Sequence, residues 1–259
     1  MSVPVNKNDS KWFLSKVKQA VKQYDMIEPG DQVAVALSGG KDSLVLLWIL
    51  HQLQQKSHLD FELKAVHIDC GWPNQDTQFM QKLCSMMSIP LSFEKSCIAQ
   101  AISPNGILID NPCALCSRLR RGALLQWAEK QGCNKIALGH HLDDVVETLF
   151  LNLLHGGHYH VFAPRIDYED RHISIIRPLV YLDEQTCIRI AEREQLEPMK
   201  NTCPVNHQTQ RQAIKNLLTV MRQQYPDFNR KVLHSLEHAR PEDLWSTMPD
   251  YHSAQKKNE

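Results

Sequence analysis

An α/β fold is predicted for this 259-residue chain, with a parallel sheet covered by helices on both faces and a helical C-terminal extension. Three observations predict it. Short apolar runs alternate with longer helical patterns over the first 180 residues or so. The run Val33-Ala34-Val35-Ala36-Leu37 leads through a glycine-bent turn into a second apolar run, Leu44 to Leu50. Near the C-terminus the strand signal stops and helical patterns alone remain. The expected division is an α/β domain over 1–180, which carries the glycine-bent turn, and a helical region over 181–259 packed on it.

The elements run in order along the chain. Lys11 to Tyr24 carries Trp12, Phe13, Val17, Ala20 and Val21 at amphipathic spacing. Glu28-Pro29-Gly30 is a turn signal before strand one. Phe61 to Ile68 reads as strand two, Thr77 to Met87 as a helix and Leu91 to Glu94 as a short strand. Ser117 to Lys130 reads as a helix with Leu119, Leu124, Trp127 and Ala128 on its apolar side. Lys135 to Leu138 is a further strand, followed by a helix from about Asp144 to Leu154. His172 to Ile176 is a candidate last strand. Helices near 184–195, 208–224 and 229–238 form the tail, and Gln255 to Glu259 is expected to be disordered.

Bulk properties narrow the function. At 42% hydrophobic the chain can bury a real core. Formal net charge is zero, so nucleic-acid binding must come from a local patch. No apolar run reaches membrane-spanning length, and the first residues lack the apolar core of a signal peptide. A cytoplasmic protein with no membrane partner is expected. In a reducing compartment its eight cysteines are better read as ligands, nucleophiles or core fillers than as disulfides.

The most informative residues are Ser38-Gly39-Gly40-Lys41-Asp42-Ser43. They stand between a strand and a helix, with two glycines where the backbone bends. N–H groups at a helix N-terminus point at whatever fills such a turn and favour an anion. The hexamer is a phosphate cradle. It is not a Walker A loop, because Gly-x-x-x-x-Gly-Lys-Ser/Thr is absent. It resembles the PP-loop of ATP pyrophosphatases, which split ATP into AMP and pyrophosphate while adenylating a substrate.

Cys113-Ala114-Leu115-Cys116 precedes the basic run Ser117-Arg118-Leu119-Arg120-Arg121-Gly122. By spacing alone a Cys-x-x-Cys is a zinc half-site, a redox pair or an iron–sulfur half-site. Cys203 is the best third ligand, and Cys70 sits beside a turn glycine. Cys84, Cys97, Cys133 and Cys187 fall in helical or strand-like stretches and read as packed thiols. Three thiolates suit a [4Fe-4S] cluster with one open iron; a structural zinc with His207 as fourth ligand is the even alternative.

These segments, with Gly139-His140-His141-Leu142-Asp143-Asp144 through Phe150, Gly156-Gly157, Arg177-Pro178-Leu179 and Cys203 through Gln212, resemble the tRNA 2-thiocytidine synthetase family over about residues 12–225. The resemblance implies a [4Fe-4S] cluster on Cys113, Cys116 and Cys203. It implies an ATP site of Ala36, Ser38, Gly39, Gly40, Lys41, Asp42, Ser43, His67 and Gly139. It implies thiolation of an anticodon-loop cytidine of tRNA. Lys200 stands where related sequences often carry a further cysteine. No cysteine precedes Cys70 or follows Cys203, so the zinc-binding pairs of the 2-thiouridine branch are missing.

The carboxylates and cations leave alternatives open. Asp144 with Glu147 has capping-box spacing, so one of Asp143 and Asp144 reads as a cap and the other as a Mg²⁺ ligand. Arg120 is a candidate for stabilising charge at the α-phosphate, or else holds tRNA phosphates. From Lys200 to Lys231 six basic residues face one acid, Asp227. Lys200, Arg211 and Lys215 are therefore candidates for tRNA binding. The expected partners are tRNA, a sulfur donor (sulfide or a cysteine desulfurase) and, as an option, a second copy of the chain. The rival readings are a PP-loop ligase or amidating enzyme, and a non-catalytic metal-containing RNA-binding protein.

Overall fold

The computed structural model describes residues 10–56, 59–200, 202–205, 210–240 and 244. The chain begins with α1 (Ser10–Gln23), β1 (Asp31–Ala36) and α2 (Lys41–Lys56), then β2 (Phe61–Asp69), α3 (Gln78–Met86) and β3 (Leu91–Lys95). A one-turn helix, α4 (Ile98–Ile102), precedes α5 (Pro112–Lys130), β4 (Lys135–Ala137) and α6 (Leu142–Leu151). β5 (Arg165–Tyr168), β6 (Ile173–Ile176), α7 (Glu184–Arg193), α8 (Gln210–Gln224) and α9 (Phe228–Glu237) complete it.

The six strands lie in the order β3-β2-β1-β4-β6-β5. All neighbours are parallel except β5 and β6. The sequence pattern does not show β5, a four-residue edge strand too short for its alternation to stand out. α5 starts five residues before the expected Ser117. Asn111 takes a left-handed turn (φ 52°) and Pro112 occupies the first helical position, where a missing N–H costs nothing. The helix expected to reach Leu154 gives way to a wider π-type turn over Asn152–Gly156. The expectations for Gln255–Glu259 and for His207 lie outside the described residues.

The sheet separates two cores. Val33 and Val35 pack on one face with Phe13, Leu44, Met80 and Ile190 from α1, α2, α3 and α7. Ala34, between them, faces the other side with Ile98, Leu124 and Trp127 from α4 and α5. This is the two-residue alternation of a strand buried on both faces. Cys187, Ile190 and Leu196 belong to the same core as α1 and α2, so residues on both sides of position 180 share one core. A third cluster joins Leu142 and Val146 of α6 to Ile214 and Leu218 of α8. Among the described residues no helix is long and apolar enough to cross a membrane.

The strand order places the site. From β1 the chain moves to β2 on one side and later to β4 on the other. The crevice at the carboxyl ends of β1 and β4 is where such sheets bind ligands. The turn after β1 and the Gly139-His140 segment after β4 both open there.

Candidate active site

A cavity of about 610 Å³ occupies this crevice. The turn after β1 contributes Ser38, Gly40, Asp42 and Ser43, with Ala36 behind it. Ser43 Oγ donates to the Gly40 carbonyl at 2.8 Å and accepts from the Ser38 amide at 3.2 Å. The Gly40 amide donates to Ser38 Oγ at 3.2 Å. The two serines thus lace the turn shut and hold the first turn of α2 with its donors toward the cavity. Gly39 has φ +82°, and its carbonyl accepts from the Met199 amide at 2.8 Å. That bond pins the loop carrying Cys203 onto the phosphate turn.

Gly139 lies behind the turn. A Cβ added there would stand 2.9 Å from both the carbonyl carbon and oxygen of Asp42 and 3.0 Å from the Ser43 nitrogen. Only glycine lets β4 approach the turn this closely. His67, buried at the end of β2, bonds the Leu37 carbonyl at 2.8 Å and Gln75 Oε1 at 3.1 Å. It ties β2 to the start of the turn while lining the cavity.

α5 supplies the sulfur side. Cys113, Cys116 and Arg120 are spaced so that one helix face presents all three, and all three line the cavity with Cys203. Arg120 Nη2 reaches Cys70 Sγ at 3.1 Å and Cys116 Sγ at 4.0 Å. In the sequence Cys70 stands out only for its turn glycine; packing of β2 against α5 brings it into the site. A hydrogen bond from Cys116 and the Arg120 guanidinium outweigh burial and bring the Cys70 thiol down to about 6. The same hydrogen bond, together with burial, pushes Cys116 up. Cys84, Cys133 and Cys187 are buried as expected, but Cys97 is exposed at the start of α4. A single zinc needs four ligands in one tetrahedron. Among the described residues no three His, Cys, Asp or Glu side chains gather closely enough for one ion. Three soft thiols lining one cavity suit the corners of an iron–sulfur cluster, one iron per cysteine, while His207, the fourth ligand expected for a zinc, lies outside the described residues.

Known proteins are similar to this chain in sequence and in fold. A PP-loop domain family model matches residues 10–222. The tRNA-cytidine(32) 2-sulfurtransferase of Geobacter sulfurreducens is 37% identical over 230 residues, covering 88% of this chain and 90% of its own. That of Neisseria meningitidis serogroup C is 35% identical, covering 93% and 76%. This chain belongs to the PP-loop family of tRNA-cytidine(32) 2-sulfurtransferases. A solved structure, the U34-tRNA thiolase NcsA from Methanococcus maripaludis with its [4Fe-4S] cluster, matches with a TM-score of 0.68 at 23% identity. It covers 88% of this chain and 80% of that one, and the likeness is one of fold.

Not every candidate faces the PP-loop cavity. Lys41 turns away to Asp42 at 2.7 Å and Glu184 at 3.5 Å. Lys200 is exposed. Arg211 lies 3.3 Å from Glu147 and 3.8 Å from Asp144, and Lys215 lies 3.6 Å from Glu147 and 3.8 Å from Glu184. Glu147 is fully buried, and burial raises its carboxyl despite those two cations. The basic helix thus spends two of its charges holding α8 onto α6. Sequence reasoning misses this because the carboxylates it answers lie some 30 to 70 residues away.

The cap is also rearranged. His141, not an aspartate, is the N-cap of α6: its side chain accepts from the Asp144 amide, and Asp144 Oδ2 accepts from the His141 amide at 3.0 Å. Glu147 plays no part in it. Asp143 turns away from the PP-loop and accepts from the Glu184 amide at 2.7 Å and Asn229 Nδ2 at 2.9 Å, with Arg222 at 3.1 Å. It binds α7, α8 and α9 to α6. Asp144 alone lines the cavity. Burial works to raise its carboxyl, but His141, His140 and Arg211 hold it below the usual range. Asp143→Ala should therefore lower stability by about 3 kcal/mol, because it leaves Arg222, Asn229 and the Glu184 amide without their shared acceptor. Asp144→Asn keeps an acceptor for the cap and should instead depress turnover with little change in melting temperature. Thermal melts and pyrophosphate release on both variants check the split.

His140 and Arg177 close the cavity wall. Arg177 is 3% exposed, donates to His140 Nδ1 at 3.2 Å and lies 4.7 Å over the Phe162 ring. Burial pushes His140 down to about 4, with Arg177 adding to that and Asp144 opposing it. The unfolded chain binds this proton near 6.5 and the fold only near 4. Stability that is whole above 6.5 should drain away as pH falls through that interval. Melting temperatures between pH 7 and 4 should fall less steeply in His140→Asn than in the parent.

Proposed function

We propose that the protein thiolates tRNA at the expense of ATP, converting the anticodon-loop cytidine at position 32 to 2-thiocytidine, the position its relatives' name gives. One observation carries the reading: the phosphate turn Ser38–Ser43 and the thiols Cys113, Cys116 and Cys203 line the same cavity. Adenylation and sulfur chemistry need not be shuttled between sites.

In this reading the α2 N-terminus and Ser38, Gly39, Gly40 and Ser43 hold the ATP phosphates. Asp144 is the carboxylate that would hold a Mg²⁺ ion, which would supply charge neutralisation for the phosphates. The cytosine C2 oxygen attacks the α-phosphorus and pyrophosphate leaves, with Arg120 and Arg177 positioned to offset the negative charge that builds. The oxygen, a poor leaving group by itself, then departs as part of AMP when sulfur adds at C2. Cys113, Cys116 and Cys203 would hold a [4Fe-4S] cluster, which supplies an open iron for a sulfur atom. His67 and Gln75 suit the edge of the nucleotide base.

Lys200 and the outer face of α8 and α9 are the proposed tRNA surface; Arg211 and Lys215 join it only by releasing Glu147. The sulfur donor is sulfide or a persulfide made by a cysteine desulfurase, the location cytoplasmic, and a homodimer compatible with the reading. The test is to incubate anaerobically purified protein with ATP, sulfide and unmodified tRNA. AMP, pyrophosphate and 2-thiocytidine in the digested tRNA are expected. ADP and phosphate as products would overturn the adenylation step.

A further inference from the structure

Four cysteines line the cavity: Cys70, Cys113, Cys116 and Cys203. The proposed function assigns three of them to iron, and the role left to Cys70 rests on that assignment. It packs in the core beside Val66, Ile68 and Ile98 and also has a charged neighbour, Arg120. It stands one residue past β2, 3% exposed, and lines the cavity. Arg120 Nη2 lies 3.1 Å from that sulfur, closer than to Cys116. The Cys70 carbonyl is held by the Ala99 amide at 2.7 Å, so the residue is anchored through its backbone. By contrast Cys84, Cys133 and Cys187 are buried elsewhere and Cys97 is outside the cavity.

We propose that Cys70 is a sulfur-loading site, which takes a sulfane sulfur from a persulfide donor and keeps it as a persulfide inside the cavity. The Cys70 sulfur attacks the terminal sulfur of a donor R–S–SH. The donor S–S bond breaks as the new S–S bond forms, and the donor departs as a thiol with the proton that Cys70 gave up. Cys70 is oxidised as the donor thiol is reduced, so no further oxidant or reductant is needed. Arg120 stands against the negative charge that the sulfur carries during the exchange. Cys70 shares the cavity with Cys116 and with Ser38, Gly40, Asp42 and Ser43 of the phosphate turn, so a sulfur held on it lies in the same cavity as both halves of the site.

The experiment uses anaerobic, cluster-containing protein incubated with glutathione persulfide, desalted, alkylated with iodoacetamide and digested for peptide mass spectrometry. The Cys70 peptide should gain the mass of one sulfur atom, releasable by dithiothreitol. In Cys70→Ser the gain should fall to background while the iron–sulfur absorbance stays at the parent level. Sulfur found on Cys97 alone, or on no cysteine, would overturn the proposal. So would loss of the absorbance in Cys70→Ser, which would make Cys70 an iron ligand. Those results leave the wider functional reading standing. A parent protein that never holds a cluster under anaerobic preparation would sink both.

Discussion

Replacing Cys203 with alanine is expected to remove the broad iron–sulfur absorbance and tRNA thiolation together, both to below detection. Cys113→Ala and Cys116→Ala should do the same, because three ligands leave no reserve on a cluster held by one thiolate per iron. Cys187→Ala should keep both properties. Cys187 is wholly buried against α2, where burial pushes its thiol far up, and it serves as core. The comparison is made on protein purified without oxygen, by absorbance, iron and sulfide content and 2-thiocytidine yield. Cys203 is the most exacting of the three. Its loop is tied to the phosphate turn through the Met199–Gly39 hydrogen bond. Full cluster content in Cys203→Ala would show that another residue supplies the third ligand.

Gly139→Ala is expected to be nearly as damaging although it removes no functional group. The added methyl would meet the Asp42 carbonyl and the Ser43 nitrogen at 2.9–3.0 Å. Those are backbone atoms of the first turn of α2, so no side chain can swing away to make room. Either β4 or the phosphate turn must shift. A shift approaching 1 Å at a reacting centre costs about 100-fold in rate, and overpacking costs about 1–3 kcal/mol of stability. Pyrophosphate release should fall by about that factor while cluster absorbance persists, since the atoms nearest the added methyl belong to the phosphate turn and not to a cysteine. An unchanged rate would mean that the turn tolerates displacement and that its lacing by Ser38 and Ser43 does not set the rate.

The two variants test opposite sides of one cavity, and they differ in how far the sequence alone points to them. Cys113 and Cys116 declare themselves by spacing, and their helix carries Arg120 four residues on from Cys116. Gly139 is an ordinary strand-end glycine until Asp42 is seen behind it. Asp143 and Asp144 are the clearest case. They are adjacent in sequence and equal as candidates there. On a helix adjacent residues point about 100° apart, so one faces the cavity and the other faces three packed helices.

By itself the sequence determined what is encoded locally: the strand–turn–helix at Ser38–Ser43, the apolar runs of the parallel sheet and the cysteine pair with its arginines. Backbone bending at glycine, helix starts and two-residue or 3.6-residue periodicity all act within a few residues, so one chain suffices to read them. Tertiary structure alone decided which charges meet. Arg211 and Lys215 are basic surface in the sequence and ion-pair partners of a buried Glu147 in the fold. Cys70 is 46 residues before Cys116 in the chain and shares Arg120 with it in the cavity. The reason is physical: burial and long-range Coulomb partners depend on where distant segments pack, and a carboxylate or thiol takes its character from those neighbours rather than from the residues beside it in the chain.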